Sequence, residues 1–494
     1  MRSKLFALVS LCLAAAGCSD PFAFDANPKP KPDDEEEESC PVSPGWLPRT
    51  PEVDQYKPPP HPASECAFYR ASWQNFMIVT QPEADGTIAL QSYATVDDLF
   101  ERKFPRAERH AWLGDIKQAG GRQILIDQTG RPIYYGIHVN KVFEDFVEEN
   151  QLRTAEGVRN APSELFLPAD IVELKSAWQV VDEGEDNSTF ITTPALVSRL
   201  SQKDGRILED HNDPIQVTVR LLALHVAFTL PGHPELIWST FEHARPSDDA
   251  DFQEDPSDIA PIRQGKNPSL SDPNNLNDST VVRKEDTILF KGGTRANEGN
   301  QGIAESDLTL DVDNQLFVDA QTSIYRMFPA SKSNTTEADG AIDVLNANVQ
   351  ELFDSADEIM AGDRRRYYRL AGAVWMDKPE YFKTNATLVN DAESPFAKEP
   401  DFEKDIQENG SDSELSLLAG EDRLSSVAME SFTQAPAAFP NCFSCHNTQA
   451  VTEKGVPIDR DRQGTMLMGP KQLNVSHVFS QFLMDEANAA RAAE

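Results

Sequence analysis

Near its C-terminus the chain places two cysteines and a histidine at a spacing that can do chemistry. The segment reads Cys442-Phe443-Ser444-Cys445-His446. Two thiols at this spacing can each add across one vinyl group of a porphyrin, and the adjacent imidazole can then bind the iron from below. The pattern therefore predicts one covalent haem c, held through Cys442 and Cys445, with His446 as the proximal iron ligand.

Two other sites also use a C-x-x-C pair, and the surrounding sequence favours neither. A zinc site needs four ligands, whereas no cysteine follows Cys445 and the next histidine is His477. A thioredoxin-like pair follows a strand and opens a helix. Here residues 435–440 read Ala-Pro-Ala-Ala-Phe-Pro instead.

The sixth iron ligand is left open by the sequence. Met468 precedes a Gly-Pro pair on an expected loop, as the thioether ligand of a cytochrome c does, and is the favoured residue. Met466 and His477 are alternatives. A five-coordinate iron, with its open face shielded by His225 or His243, is a further one.

The first residues have the features of an export signal. Arg2 and Lys4 precede an apolar run that closes with small residues before Cys18. Residues 1–17 thus resemble a bacterial lipoprotein signal peptide. The resemblance implies cleavage before Cys18, lipid on its thiol and, with Ser19 following, sorting to the outer membrane. The expected location is the bacterial cell envelope, facing the periplasm or displayed at the surface, with the lipid as the only membrane attachment. The alternative is an ordinary secretory signal that releases a soluble protein.

The remaining cysteines predict one disulfide. Of the 6 cysteines, Cys12 lies in the signal, Cys18 takes lipid and two take haem. Cys40 and Cys66 are left to pair in an oxidising compartment.

Composition limits the possible partners. A formal net charge of -36 is too acidic for binding nucleic acid or an anionic membrane through the protein's own surface. The expected partner is a periplasmic redox protein, neutral or basic at the contact, or a small-molecule electron donor or acceptor.

The composition also shifts along the chain. Residues 18–65 are rich in Pro and Glu and predict a disordered, lipidated tether. Residues 66–410 predict a mixed α+β globular body, in which 245–286 reads as a long surface excursion or connection. Residues 411–494 predict a small, mainly helical, cytochrome c-like haem segment. The predicted fold class is α+β.

Apolar periodicity predicts individual elements within these regions. Hairpins are expected over 123–136 and 217–242, and helices over 71–79, 342–359, 364–376, 415–432 and 473–489.

Several segments also occur in a recognisable order. They are Asp127-Gln128-x-Gly130 with Asn140, residues 172–178, 224–226, 237–243 and 429–432, ahead of the C-x-x-C-H motif. The series resembles a poorly characterised bacterial family of long, single-haem cytochrome c proteins, over residues 66–494. The resemblance implies haem c but no agreed substrate. Members often read Asp-Phe-Ser-Phe where this chain has Ser476-His477-Val478-Phe479, and this departure bears on the identity of the sixth ligand.

Three functions follow from these expectations. The first is a lipid-anchored electron carrier with both axial positions of the iron filled. The second is a haem-dependent oxidoreductase or small-molecule sensor, with an open iron position facing the body. The third is a substrate-binding lipoprotein in which the haem is structural. No hydrolase or phosphate-loop motif is present.

Overall fold

A computed structural model describes most of the body and parts of the C-terminal region. The described residues are 40–47, 65–101, 112–117, 123–244, 259–262, 281–327, 340–356, 362–376, 418–420, 426–434, 442–448, 450–452 and 465–492. The expected signal sequence, Cys18 and most of the expected tether lie outside them. Within these ranges, no helix combines the length and the apolar character that a membrane crossing requires.

The described elements are helices and antiparallel strands. The helices are Glu65–Val79 (α1), Val96–Leu99 (α2), Lys141–Glu149 (α3), Ala155–Asn160 (α4), Ala341–Ser355 (α5), Cys442–Cys445 (α6) and His477–Ala492 (α7). The strands are Ala94–Thr95 (β1), Tyr134–Val139 (β2), Val172–Val180 (β3), Thr192–Lys203 (β4), Arg206–Leu230 (β5), His233–His243 (β6), Leu310–Asp311 (β7), Leu316–Phe317 (β8), Tyr368–Met376 (β9), Leu418–Gly420 (β10), Val451–Thr452 (β11) and Met466–Met468 (β12).

One large sheet organises the fold. Its strands follow the order β1-β2-β3-β5-β6-β9-β10, with β4 paired to the outer part of β5. Each of these pairs is antiparallel. The predicted α+β class is therefore confirmed.

Helices α1 and α5 cover one face of this sheet. Apolar side chains of both helices share a core with inward residues of the strands, such as Leu174, Val226 and Phe241. Two hydrogen bonds connect α1, α5 and β9. The Trp73 indole of α1 donates to Asn346 Oδ1 of α5 at 3.0 Å, and Asn346 Nδ2 donates to the Leu370 carbonyl of β9 at 2.9 Å.

The opposite face is covered by α3, α4 and the C-terminal region. Val139, Ala227 and Trp238 of the sheet share one apolar cluster with Phe443 and Phe479. The described residues of the C-terminal region that belong to this cluster therefore pack into the core of the body. A separate helical, cytochrome c-like segment is not seen among the described residues, of which only α7 forms a long helix there.

Four of the predicted elements form as expected. Strands β5 and β6 make the hairpin, and α1 contains the helix at 71–79. Helix α5 matches the helix begun at 342, and α7 covers most of the helix at 473–489. The hairpin at 123–136 forms in short form, as one antiparallel bridge between Ile126 and Pro132. In its turn, Asp127 Oδ1 accepts the backbone N–H groups of Thr129 at 2.8 Å and Arg131 at 2.9 Å. Strand β2 then pairs with β3.

Two predicted helices are wrong. Residues 364–376 form a 3-10 turn and then β9, a strand buried at every position. Such a continuous apolar run cannot be told from a buried helix by periodicity. In the range 415–432, where a helix was expected, the described residues form β10, which pairs with the edge of β9, and bends and turns over 427–432. Gly420 there has a φ of 81°, which a right-handed helix does not allow.

The predicted disulfide joins Cys40 to Cys66, with Cα atoms 5.5 Å apart. It ties residues 40–47 to the start of α1. The excursion at 245–286 is only partly described. Within it, Ile259 and Ala260 are buried in a third apolar cluster, so this part lies in the core and not on the surface.

Candidate haem attachment site

The two motif cysteines lie on α6, one turn apart. Both thiols are outside the disulfide and are partly buried. The His446 amide closes the turn by donating to the Cys442 carbonyl at 2.8 Å. Burial raises the pKa of the Cys442 thiol, and the nearby Glu430 carboxylate raises it further. The turn therefore presents two cysteines and the following histidine from one short element.

The imidazole of His446 is held by the segment before α7. Its Nδ1 lies 2.9 Å from the Val475 carbonyl oxygen, which accepts only, so Nδ1 carries the proton. Nε2 is then the ring atom with a lone pair for a metal. Burial, and next the neighbouring His477, lower the pKa of His446 well below its usual value. The neutral, ligating form is therefore favoured.

Two rings lie against this imidazole. Trp238 of β6 is 3.8 Å from it and His477 is 3.7 Å from it, between ring centroids. His477 Nε2 also lies 3.1 Å from the Cys445 carbonyl oxygen. Axial ligands lie on opposite sides of an iron atom, whereas His477 stacks directly on His446. This arrangement does not favour His477 as the sixth ligand.

Both methionine candidates lie on β12, which replaces the expected loop. Strand β12 pairs with β11, placing Met468 opposite Val451. Met466 is 64% exposed, while Met468 is 2% exposed and belongs to the apolar cluster that contains Phe443. Only Met468 is therefore packed on the side of the motif.

Strand register aligns the sheet residues that face the motif. Glu173, Ala227 and Trp238 are lateral neighbours on β3, β5 and β6. Alternation along each strand then puts the next row on the same face. This second row, which we call the polar row, contains Lys175, His225 and Thr240.

Glu430 links two residues of the polar row, Lys175 and His225, through its carboxylate. Its two carboxylate oxygens lie 3.0 Å from Lys175 Nζ and 2.7 Å from His225 Nε2. Thr240 Oγ1 completes the chain at 2.8 Å from His225 Nδ1. Burial alone would raise the pKa of Glu430, but His225 and Lys175 together lower it well below its usual value. Glu430 is thus ionised beside the thiol of Cys442.

His243 belongs to another part of the molecule. Its ring stacks on Phe190 at 3.6 Å and meets Tyr368 edge-on at 5.5 Å. Of the two histidines proposed to shield an open iron face, the structure brings only His225 toward the motif.

A buried lysine fixes the segment that carries Val475. Lys471 Nζ donates to the carbonyls of Val158, Arg159 and Ala161 at 3.1, 2.8 and 2.9 Å. These carbonyls end α4, where a cation also interacts favourably with the helix dipole. The backbone acceptor for His446 is therefore anchored to the body.

The residues present fit a covalently bound haem. Two cysteines outside any disulfide and an oriented neutral imidazole are the expected attachment set. In addition, the buried Trp238 Nε1 and Thr448 Oγ1 have no hydrogen-bond partner among the described residues. Buried polar atoms are rarely left in this state.

Glu173 is a second carboxyl group on this face. Its side chain is 6% exposed and bonds to Ser476, the residue between Val475 and His477. Its Oε2 has no partner among the described residues. Burial raises the pKa of Glu173 to about 7. Between about pH 4.5 and about pH 7, the carboxyl group is therefore protonated in the folded protein but ionised in the unfolded chain.

This difference predicts a pH-dependent stability. The neutral Glu173 carboxyl group contributes its full stabilisation below about pH 4.5, which is its pKa in the unfolded chain. This contribution is lost as the pH rises through about 7, its pKa in the fold. Glu173→Gln keeps the neutral shape and removes the loss. We expect the variant to gain about 2–3 kcal/mol over the wild type between about pH 5 and about pH 8. Denaturant unfolding at both pH values measures this gain.

The exposed Glu149 on α3 supplies the matched control. Glu149→Gln should change the unfolding free energy by the same small amount at both pH values. An equal offset for Glu173→Gln at both values would mean that Glu173 titrates normally in the fold.

Sequence reasoning gave no role to Glu173, Lys175, Trp238 or Glu430, although all four lie in segments quoted for the resemblance. A usable signal existed on β3. There, Glu173 and Lys175 alternate with Val172 and Leu174, so the polar groups share one face of a buried strand.

Comparison with known proteins assigns neither a family nor a function to the chain. The chain matches no family model, no curated protein and no solved structure.

Proposed function

We propose that this chain is a single-haem c-type cytochrome of the bacterial cell envelope that transfers electrons. The observation that carries the proposal is the constellation at α6. Cys442 and Cys445 lie outside the disulfide, and His446 is oriented through Nδ1 by the Val475 carbonyl. The two cysteines would form the thioether bonds and His446 Nε2 would bind the iron. The bound haem would supply one-electron chemistry.

The surroundings support a haem shielded from water. Trp238, Phe443 and Met468 belong to one apolar cluster beside the motif. An apolar shell lowers the local dielectric and influences the reduction potential. Met468 is the proposed sixth ligand, and with His446 it would raise that potential.

The proposed setting follows from charge and the N-terminal signal. A lipid at Cys18 would hold the protein at the outer membrane. The net charge of -36 favours a redox partner that is neutral or basic at the contact. A small-molecule electron donor or acceptor is the other possible partner.

A second function, a haem-dependent oxidoreductase or sensor, has one observation in its favour. Glu430 and the polar row lie on the sheet face that Trp238 shares with the motif. A histidine paired with a buried carboxylate can exchange protons with a small molecule. An electron carrier has no need of such a group, whereas an open iron position facing the body would use it.

Optical spectra of the mature protein distinguish the two functions. For the electron carrier we expect sharp α and β bands after reduction, the long-wavelength band of thioether ligation after oxidation, and no response to carbon monoxide. A spectrum that carbon monoxide shifts would reject Met468 as ligand and favour the second function. A protein without covalent haem absorption would overturn both.

A further inference from the structure

Three potential metal ligands converge away from the motif. They are Asp115, on the short segment 112–117, and Glu209 and His211, on β5. One ligand atom from each lies within 4.8 Å of the other two. In this group, His211 Nδ1 lies 3.4 Å from Asp115 Oδ1. We call these three residues the β5 cluster.

Backbone hydrogen bonds fix the position of segment 112–117, which contains Asp115. Asp115 and Tyr135 exchange both backbone hydrogen bonds, at 2.9 and 2.8 Å. Trp112, at the start of the same segment, bridges to Leu196 of β4 and packs its ring 5.5 Å from that of His211. Asp115 is therefore held by the sheet and does not depend on a mobile loop for its position.

A bulge in β5 aims His211, whereas Glu209 stays in the ladder opposite Leu200 of β4. The β4 register jumps from Val197 opposite Ile215 to Arg199 opposite Asp210, which leaves residues 211–214 without a ladder partner on β4. His211 is the first of them. Bulges of this kind re-aim side chains and are frequent at functional sites. Here the bulge brings His211 beside Glu209 and toward Asp115.

The carboxylate of Glu209 is oriented by its surroundings. Its Oε2 accepts the Ile116 amide at 2.9 Å. The buried Ser198 hydroxyl lies 3.5 Å from the same oxygen and donates to the Gly114 carbonyl at 2.8 Å. Such outer contacts fix metal ligands in their binding orientation.

The spacing of His211 and Asp115 suits two ligands of one metal ion better than a direct hydrogen bond. Ligand atoms about 2.0–2.1 Å from a tetrahedral zinc ion lie about 3.3–3.4 Å from one another. The 3.4 Å between His211 Nδ1 and Asp115 Oδ1 equals that edge and exceeds the usual N–H···O length. Two carboxylates close together also repel each other, and a divalent cation would remove that repulsion.

We propose that Asp115, Glu209 and His211 form a binding site for a divalent transition-metal ion, of which zinc is the best match. One imidazole and two carboxylates are zinc ligands, while calcium and magnesium prefer oxygen alone. The side chains of His211 and Asp115 are 20% and 30% exposed, so a water molecule can complete the coordination. The ion would pin segment 112–117 to the β4–β5 hairpin.

Zinc titration of the mature, full-length protein, stripped with a chelator, tests the site. Calorimetry should find one zinc equivalent whose affinity falls by about 100-fold or more in Asp115→Asn and in His211→Ala. Magnesium and calcium should not compete at similar concentrations. Zinc should also raise the unfolding temperature of the wild type and of neither variant.

Asp213→Asn is the matched control, because Asp213 lies on the same bulge and pairs with Arg199 at 2.6 Å outside the cluster. It should bind zinc as the wild type does. Asp115→Asn preserves size, so lost binding in that variant does not depend on lost folding. Zinc held elsewhere, for example by Cys442 and Cys445 in chains lacking haem, would persist in both variants. Equal affinity and stoichiometry in wild type and variants would overturn the proposal, as would a wild type that binds no zinc.

Discussion

Replacing both Cys442 and Cys445 with serine is expected to abolish covalent haem completely. Neither thioether bond can form without its thiol, and His446 alone holds a haem only by coordination, which acid and organic solvent break. The double variant should therefore release all of its porphyrin on extraction, and its intact mass should lack one haem. Each single variant should keep one thioether, with the reduced α band at longer wavelength because one vinyl group stays conjugated.

Thiol counting gives an independent readout on the wild type. The mature chain is expected to have its cysteines in lipid, in the Cys40–Cys66 disulfide and in two thioethers. After denaturation it should react with no thiol reagent. Ser444→Ala, between the two cysteines, is the control and should retain covalent haem. Two reactive thiols in the denatured wild type, or covalent porphyrin in the double variant, would contradict attachment at this motif.

Apolar periodicity and turn residues predicted the elements whose structure depends on residues close in sequence. Strands β5 and β6 read correctly because a long β-branched run ends at Pro231-Gly232, where Gly232 adopts a φ of 92°. Helices α1 and α5 were predicted because each shows an apolar stripe toward the sheet. In β9 the opposite holds, since both of its faces are buried and the periodicity vanishes.

The candidate site was predictable only in part, because most of it is assembled across the chain. The attachment residues lie within five positions and could be read directly. The polar row joins Lys175, His225 and Thr240 through strand register, and Glu430 arrives from a segment expected to be helical. No spacing in the sequence encodes those contacts. The β5 cluster was missed for the same reason, since Asp115 and His211 meet only through a bulge.

Arg326→Met is expected to destabilise the protein by about 3–5 kcal/mol, the usual cost of removing one partner of a buried ion pair. The side chains of Arg326 and Glu242 are fully buried against each other. Without the guanidinium, the buried Glu242 carboxyl group would lose its counter-charge. Denaturant unfolding of the haem-loaded protein would measure the loss. Arg199→Met, at an exposed pair with Asp213, is the control and should cost less than about 1 kcal/mol.

A second substitution separates charge from packing in this result. Glu242→Gln added to Arg326→Met removes the uncompensated charge. In the wild type, the Val427 backbone N–H donates to Glu242 Oε1 at 2.9 Å, and the side-chain oxygen of the new glutamine can accept the same hydrogen bond. Most of the lost stability should then return. A double variant as unstable as the single one would instead mean that Arg326 acts through packing. Val427 lies three residues before Glu430, so loss of the pair should also weaken the contact between Glu430 and His225, and recovery should restore it. The buried pair would then position the polar row as well as stabilise the fold.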